Sequence, residues 1–199
     1  DGPQHFTRIG GTSVGGATFL GLSRALTGVG DFRELMRLAA RGDASAIDKS
    51  VGDIYGAAGC TDLGMPHDLT AASFAKLSGA DGELPAPASA PDLVAATLRM
   101  VAQVSTVIAI AHAKQIGCMD RVFFVGGFLQ NNDLAQSLIT TSMLSLGGRA
   151  IFCRHAPFLG ALGSLAASLQ AERERHEPPT PTEAEERWKQ VRYANRTRK

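Results

Sequence analysis

The segment from Asp92 to Gln115 constrains the fold more than any other part of the chain. It contains neither glycine nor proline, and Leu93, Val94, Leu98, Val101, Val104, Ile108 and Ala111 recur at helical spacing over well more than one face. A helix that is apolar around most of its circumference must be covered on most sides. One sheet face is too little cover, so this helix is expected at the centre of a layered domain, with a seam left over for a second copy of the chain. Its longest apolar run, Met100 to Ala111, is broken by Gln103, Ser105 and Thr106 and falls short of the ~20 residues a bilayer span needs. No membrane association is expected.

Charge narrows the partners. Twenty Lys and Arg stand against nineteen Asp and Glu, leaving a formal +1, so there is no field of one sign to hold a nucleic acid backbone. Any anion must be gripped locally. Cys60, Cys118 and Cys153 are odd in number and widely spaced, which argues against a disulfide framework and points to a reducing compartment, the cytoplasm. His67, His112 and His155 have no partners at metal-ligand spacing, so structural roles and no metal site are expected. The start, Asp1-Gly2-Pro3, has no basic and apolar signal pattern and reads as part of a longer protein.

The remaining segments alternate. A short extended lead-in, His5 to Ile9, meets the glycine-dense run Gly10 to Gly16, and a helix is expected over Ala17 to Leu26. Asp31 should cap a second helix reaching Gly42, and Asp43 or Ser45 a third over Ser45 to Tyr55. Gly56 to Pro91, with Pro85 and Pro87, reads as loop with one helical turn near Leu69 to Leu77. Then come a buried strand at Arg121 to Val125, Gly126-Gly127, a helix over Asp133 to Leu144 capped by Asn131 or Asn132, a strand at Arg149 to Cys153 and a helix over Phe158 to Leu169. The order indicates a layered α/β domain over residues 1–170. Residues 171–199, charged and carrying Pro178, Pro179 and Pro181, read as a solvated tail, or else as a partner-binding helix anchored by Trp188.

Two glycine motifs carry the chemistry. Closely spaced glycines let backbone N–H groups converge, and beside a helix N-terminus such amides suit phosphate oxygens. Gly10, Gly11, Gly15 and Gly16 offer that pattern, with the hydroxyls of Thr12 and Ser13 as further donors. It is no Walker motif, because Gly16 and Ala17 stand where Lys and Ser or Thr are required, and an ordinary tight turn is the plain alternative. Arg8, just ahead of the loop, suits a carboxylate or phosphate, or a surface ion pair. Gly126 and Gly127 follow a strand at its carboxyl end, the usual ligand edge of α/β sheets, where a flat adenine could lie on bare backbone. Asp48, Asp53 and Tyr55 could fringe a site or serve as caps. Ser73 lacks a nucleophile elbow, which excludes a serine hydrolase of that type.

Several blocks in register resemble the eukaryotic-type, or type II, pantothenate kinases: Arg8 to Leu22, Ala40-Arg41-Gly42-Asp43, Asp48 to Gly56, Ala72-Ser73-Phe74, Asp120 to Leu129 and Phe158 to Gly163. The similarity runs from Arg8 to Leu169 and matches the family's carboxyl half. It implies the actin/sugar kinase/Hsp70-like (ribonuclease H-like) ATPase fold, a transferase using ATP and Mg²⁺ to phosphorylate pantothenate in the first step of coenzyme A biosynthesis, feedback by coenzyme A thioesters, and a homodimer. By the same resemblance Gly10, Gly11, Thr12, Ser13, Gly15 and Gly16 would bind ATP phosphates, and Gly126, Gly127, Phe128 and Gly160 would lie on the adenosine side. Arg8 would bind pantothenate or the competing thioester, and a divergent inactive branch lacks arginine there. The family's catalytic glutamate base lies in its amino half, so this stretch alone is expected to be inactive. Two departures stand out: His155-Ala156-Pro157-Phe158 replaces His-Glu-Gly-Tyr, and Ala17 replaces a glycine. The rival readings are a catalytically inactive module sensing coenzyme A thioesters and another sugar kinase of the same fold.

Overall fold

A computed structural model describes residues 6–79, 88–176, 182, 185 and 186. His5, Pro85, Pro87, Trp188 and the prolines at 178, 179 and 181 lie outside the described residues, as does most of the tail around Trp188. Contacts divide the chain into two units, 1–156 and 157–199. The described residues are mixed α/β and mostly helical.

The first unit contains α1 (Gly16–Thr27), α2 (Phe32–Arg41), β1 (Lys49–Ser50), α3 (Val51–Tyr55), β2 (Thr70–Ala72), α4 (Ala90–Ile116), β3 (Val122–Phe124), α5 (Asp133–Ser145) and β4 (Ala150–Phe152). The helix expected from Asp92 begins two residues earlier, because Ser89 caps it by accepting from the Asp92 N–H and Pro91 is tolerated in the first turn. Gly117, at φ 71°, ends it. α4 is the axis of the unit and packs against α1, α2 and α5. Val94, Leu98 and Val101 join Phe19, Leu35, Leu38 and Ala135 in the main core, while Ile110 joins Ile139 and Met143 in a second. The Met100 to Ala111 run understates this helix. By length and composition α4 could cross a membrane, but half of its most apolar window is buried inside the protein, as in a core helix.

Elsewhere the structure corrects the sequence reading. Asp43 caps only a single turn, Ala44–Ala46, and the chain then extends as β1 before Ser50 caps α3. The helix expected over Ser45 to Tyr55 is broken because Ile47 and Asp48 both turn inward. The supposed loop after Gly56 contains β2, which pairs antiparallel with β1, Lys49 opposite Ala72. Asn132 rather than Asn131 caps α5, its side chain accepting from the Ala135 N–H. β3 and β4 run parallel, Phe123 opposite Ile151. β3 is not fully buried: Val122 and Phe124 face the α5 core, whereas Phe123 is 59% exposed.

The second unit is built on α6 (Leu159–His176). It runs past Leu169 because the charged residues that follow are good helix formers. Leu159, Leu162, Leu165 and Leu169 are exposed along it.

Candidate functional site

The glycine loop reaches α1 without regular secondary structure, exposed at Gly10 to Ser13 and half-buried from Val14 to Gly16. Its hydrogen bonds are local. Val14 N–H donates to Thr12 Oγ1 at 3.0 Å, Gly15 N–H to Thr18 Oγ1 at 3.1 Å, and the Thr18 hydroxyl to the Ser13 carbonyl at 3.1 Å. Two amides of the expected cradle are therefore already engaged. Those of Gly10 to Ser13, and of Gly16, Ala17 and Thr18 in the first turn of α1, meet no acceptor among the described residues. Those donors, together with the positive end of the α1 dipole, suit an anion.

The second motif is folded against the first. Gly126 has φ 132°, open in practice only to glycine, and this bends the chain out of β3 into the turn Gly127–Leu129. Phe128 follows and lies on Gly16: a Cβ added there would stand 2.6 Å from Phe128 Cβ and 2.8 Å from its Cγ. Only a bare backbone lets the two segments meet. The ring of Phe128 packs against Phe19 of α1 at 5.6 Å and Phe32 of α2 at 6.3 Å, while Phe19 and Phe32 meet edge to face at 6.1 Å. Asn132 Nδ2 donates to the Phe128 carbonyl and Gln136 Nε2 to that of Leu129, tying the turn to α5. Arg8 folds back over the loop, with Nη2 3.2 Å from where a Gly11 Cβ would lie. Gly160 belongs to the second unit, and space around it is open.

A model of the Fumble family matches residues 1–167. The chain belongs to the Fumble family, a pantothenate kinase family. The match covers all but the last two residues of the similar stretch, Arg8 to Leu169. Among curated relatives, the Fumble chain is 38% identical over 167 residues to pantothenate kinase 2 of Oryza sativa subsp. japonica, covering 82% of this chain and 18% of that protein. It is 36% identical over 170 residues to pantothenate kinase 1 of Arabidopsis thaliana, covering 84% and 44%. It is 40% identical over 164 residues to 4'-phosphopantetheine phosphatase of Mus musculus, covering 81% and 19%. The chain thus spans less than half the length of each of these relatives.

Of the remaining candidates of this Fumble chain, Asp48 and Asp53 both feel the charge of Lys76. Asp53 Oδ2 accepts from the Ser50 N–H at 2.7 Å and pairs with Lys76 at 2.9 Å, so Asp53 completes the α3 cap. The Ser50 N–H, then Lys76 and the Ser50 hydroxyl, lower its pKa to about 2. Asp48 is buried. Its Oδ1 accepts from the Phe74 N–H at 2.9 Å and its Oδ2 has no partner. Burial raises its pKa, opposed by that N–H and by the charges of Arg99 and Lys76. Tyr55 is exposed.

The two shifts have opposite signs in stability. Asp53 stabilises above the unfolded aspartate value of about 3.9, and this contribution is lost as pH falls toward its folded value of about 2. The native state holds the Asp48 proton more tightly than the unfolded chain, so its contribution weakens as pH rises through its raised pKa. Carboxyl-carbon NMR titration should give Asp53 a midpoint near 2 and Asp48 one above the ordinary value. An Asp48 midpoint at or below that value would contradict the burial of its free oxygen.

The trio Phe19, Phe32 and Phe128 escapes the sequence, where the three stand far apart and only Phe128 follows a glycine pair. His112 also joins the site, through Gly10. Cys60, Cys118 and Cys153 are free thiols.

Proposed function

We propose that this chain is the nucleotide-binding, carboxyl-terminal part of a kinase of the actin/sugar kinase/Hsp70-like fold that transfers the ATP γ-phosphoryl group to pantothenate. The observation that carries the reading is the contact of Gly16 with Phe128, which sets the unengaged amides of the α1 start beside the Gly126-Gly127 turn. Phosphates would lie at the amides of Gly10 to Ser13 and the first turn of α1, and the adenosine along Gly126 to Phe128. The names of the plant relatives support pantothenate as acceptor. Among the described residues no group of three or more His, Cys, Asp or Glu is placed to hold a metal ion. Mg²⁺ would arrive with the nucleotide and offset charge on the transferring group.

In this mechanism the pantothenate hydroxyl oxygen attacks the γ-phosphorus in line, the bond to the β-phosphate oxygen breaks and ADP leaves. A carboxylate from the amino half of the family's kinase domain takes the hydroxyl proton. The present residues bind and orient: amides fix the phosphates, Phe128 fixes the turn, and Arg8 holds the carboxylate of pantothenate or a competing coenzyme A thioester. Residues 1–199 alone are expected to bind a magnesium-ATP analogue weakly in calorimetry and to turn over no pantothenate. Turnover by this piece would refute the division of labour. Arg8→Ala should weaken pantothenate or thioester binding about tenfold or more, as loss of a charge-assisted pair implies; unchanged affinity would remove Arg8 from the site.

A second reading is a member of the family without pantothenate kinase activity, and the name of the mouse relative, a phosphatase rather than a kinase, supports it. A kinase assay on the full-length protein separates the two. We also propose a homodimer through the groove of about 300 Å³ between β2 and α4, where Met100, Val104, Val107 and Ile108 face Thr70 and Ala71. Sedimentation showing only monomer would exclude it.

A further inference from the structure

The loop is fixed at its end but not, by any hydrogen bond among the described residues, at its beginning. Val14 packs on the main core and Gly16 on Phe128, while among the described residues the hydrogen bonds of residues 10–15 stay within the loop and the start of α1. Gly10 to Ser13 are exposed, yet theirs are four of the amides on which the phosphate site depends. An exposed run held only by its far end would sample many conformations, and each would have to be lost on binding.

A side chain from the body of the unit meets this run at Gly10. His112, half-buried near the carboxyl end of α4, places Nε2 2.6 Å and Cε1 3.1 Å from where a Cβ of Gly10 would stand. The imidazole fills the place of a side chain at position 10. Its neighbours Ile110 and Ala113 are buried, so the helix beneath it is fixed. At the next residue the Arg8 guanidinium occupies the corresponding place over Gly11. The two successive glycines are thus each met by a nitrogen-bearing side chain, one from α4 and one from just ahead of the loop.

We infer that His112 is a positioning residue of the phosphate loop, seating Gly10 against α4 so that the amides of Gly10 to Ser13 are ordered before an anion arrives. This rests on the reading of the loop as a phosphate site. The contact works by shape, since the ring takes space that glycine leaves open, and it explains why position 10 carries no side chain.

The test uses the full chain, followed by ¹⁵N relaxation and by titration with a magnesium-ATP analogue. His112→Ala should lower the heteronuclear NOE of Gly10 to Ser13, leave α1 and the melting temperature nearly unchanged, and weaken the analogue about tenfold, as loss of pre-ordering implies. His112→Phe, which keeps a planar ring, should restore loop order. Gly10→Ala should also disorder the loop, and adding His112→Ala to it should recover part of the order, because the methyl then takes up vacated space. Unchanged NOE values in a folded His112→Ala protein would overturn the inference, as would lost loop order with unchanged analogue affinity. Unfolding of both His112 variants would overturn it too, by making the ring a support of the fold. If the unmutated chain binds no nucleotide, the phosphate reading fails, while the loop-order measurement still judges the seat.

Discussion

Valine at position 16 is expected to abolish nucleotide binding while alanine at position 15 is tolerated. The two glycines are neighbours, yet the structure treats them differently. Around a Gly15 Cβ there is nothing within 4 Å, and its φ of −164° is extended backbone that any residue adopts. A Cβ on Gly16 would lie 2.6 Å from Phe128 Cβ, an atom next to the backbone that cannot swing away. Phe128 is further held by Phe19 and Phe32 and, through its carbonyl, by Asn132. Overpacking of this kind costs about 1–3 kcal/mol. The cheapest relief is to push the Gly126-Gly127 turn away from α1, and that separates the phosphate and adenosine sides. Calorimetry with a magnesium-ATP analogue, beside thermal melts, should show affinity lost for Gly16→Val in a chain that still folds, and nearly kept for Gly15→Ala. Equal effects at the two positions would contradict the contact.

The largest loss of stability is expected from Phe19→Ala. Phe19 is fully buried and touches both other rings of the trio. Truncating a buried phenylalanine costs about 3–5 kcal/mol, through lost transfer energy and the cavity left behind. Against the 5–15 kcal/mol that holds a typical domain together, this is a large share. For a chain of this size the melting temperature should fall by roughly 10 °C. Because Phe128 loses its main support, nucleotide affinity should fall as well. Phe19→Leu, which keeps most of the volume, should lose far less of both. Urea unfolding of the two variants measures this, and a Phe19→Ala loss below about 1 kcal/mol would show that the trio is not the support claimed here.

What could be read from the sequence follows from which interactions are local. The α4 helix was legible because its apolar residues recur at helical spacing, and Asp31 was legible as a cap because capping acts over three residues. β1 was not legible, since it exists only by pairing with β2 and because Asp48 bonds to Phe74, 26 residues away. The exposure of Phe123 was hidden for a related reason: an aromatic, β-branched run reads alike whether one face of the strand is covered or two. Of the site, both glycine turns could be found from their spacing, but their meeting could not. Gly16 and Phe128 are brought together by the packing of α1 and α5 on α4, and no local pattern encodes that. His112 escaped for the same reason, as a lone histidine on an apolar helix has no spacing that points to Gly10.

The central claim is that the two glycine turns form one nucleotide-binding surface. An amide ¹H–¹⁵N titration of the chain with a magnesium-ATP analogue tests it most directly. The account predicts that resonances of Gly10 to Ala17 and of Gly126 to Phe128 shift together along a single saturating curve. Shifts confined to one turn, or arising only elsewhere in the chain, would contradict it.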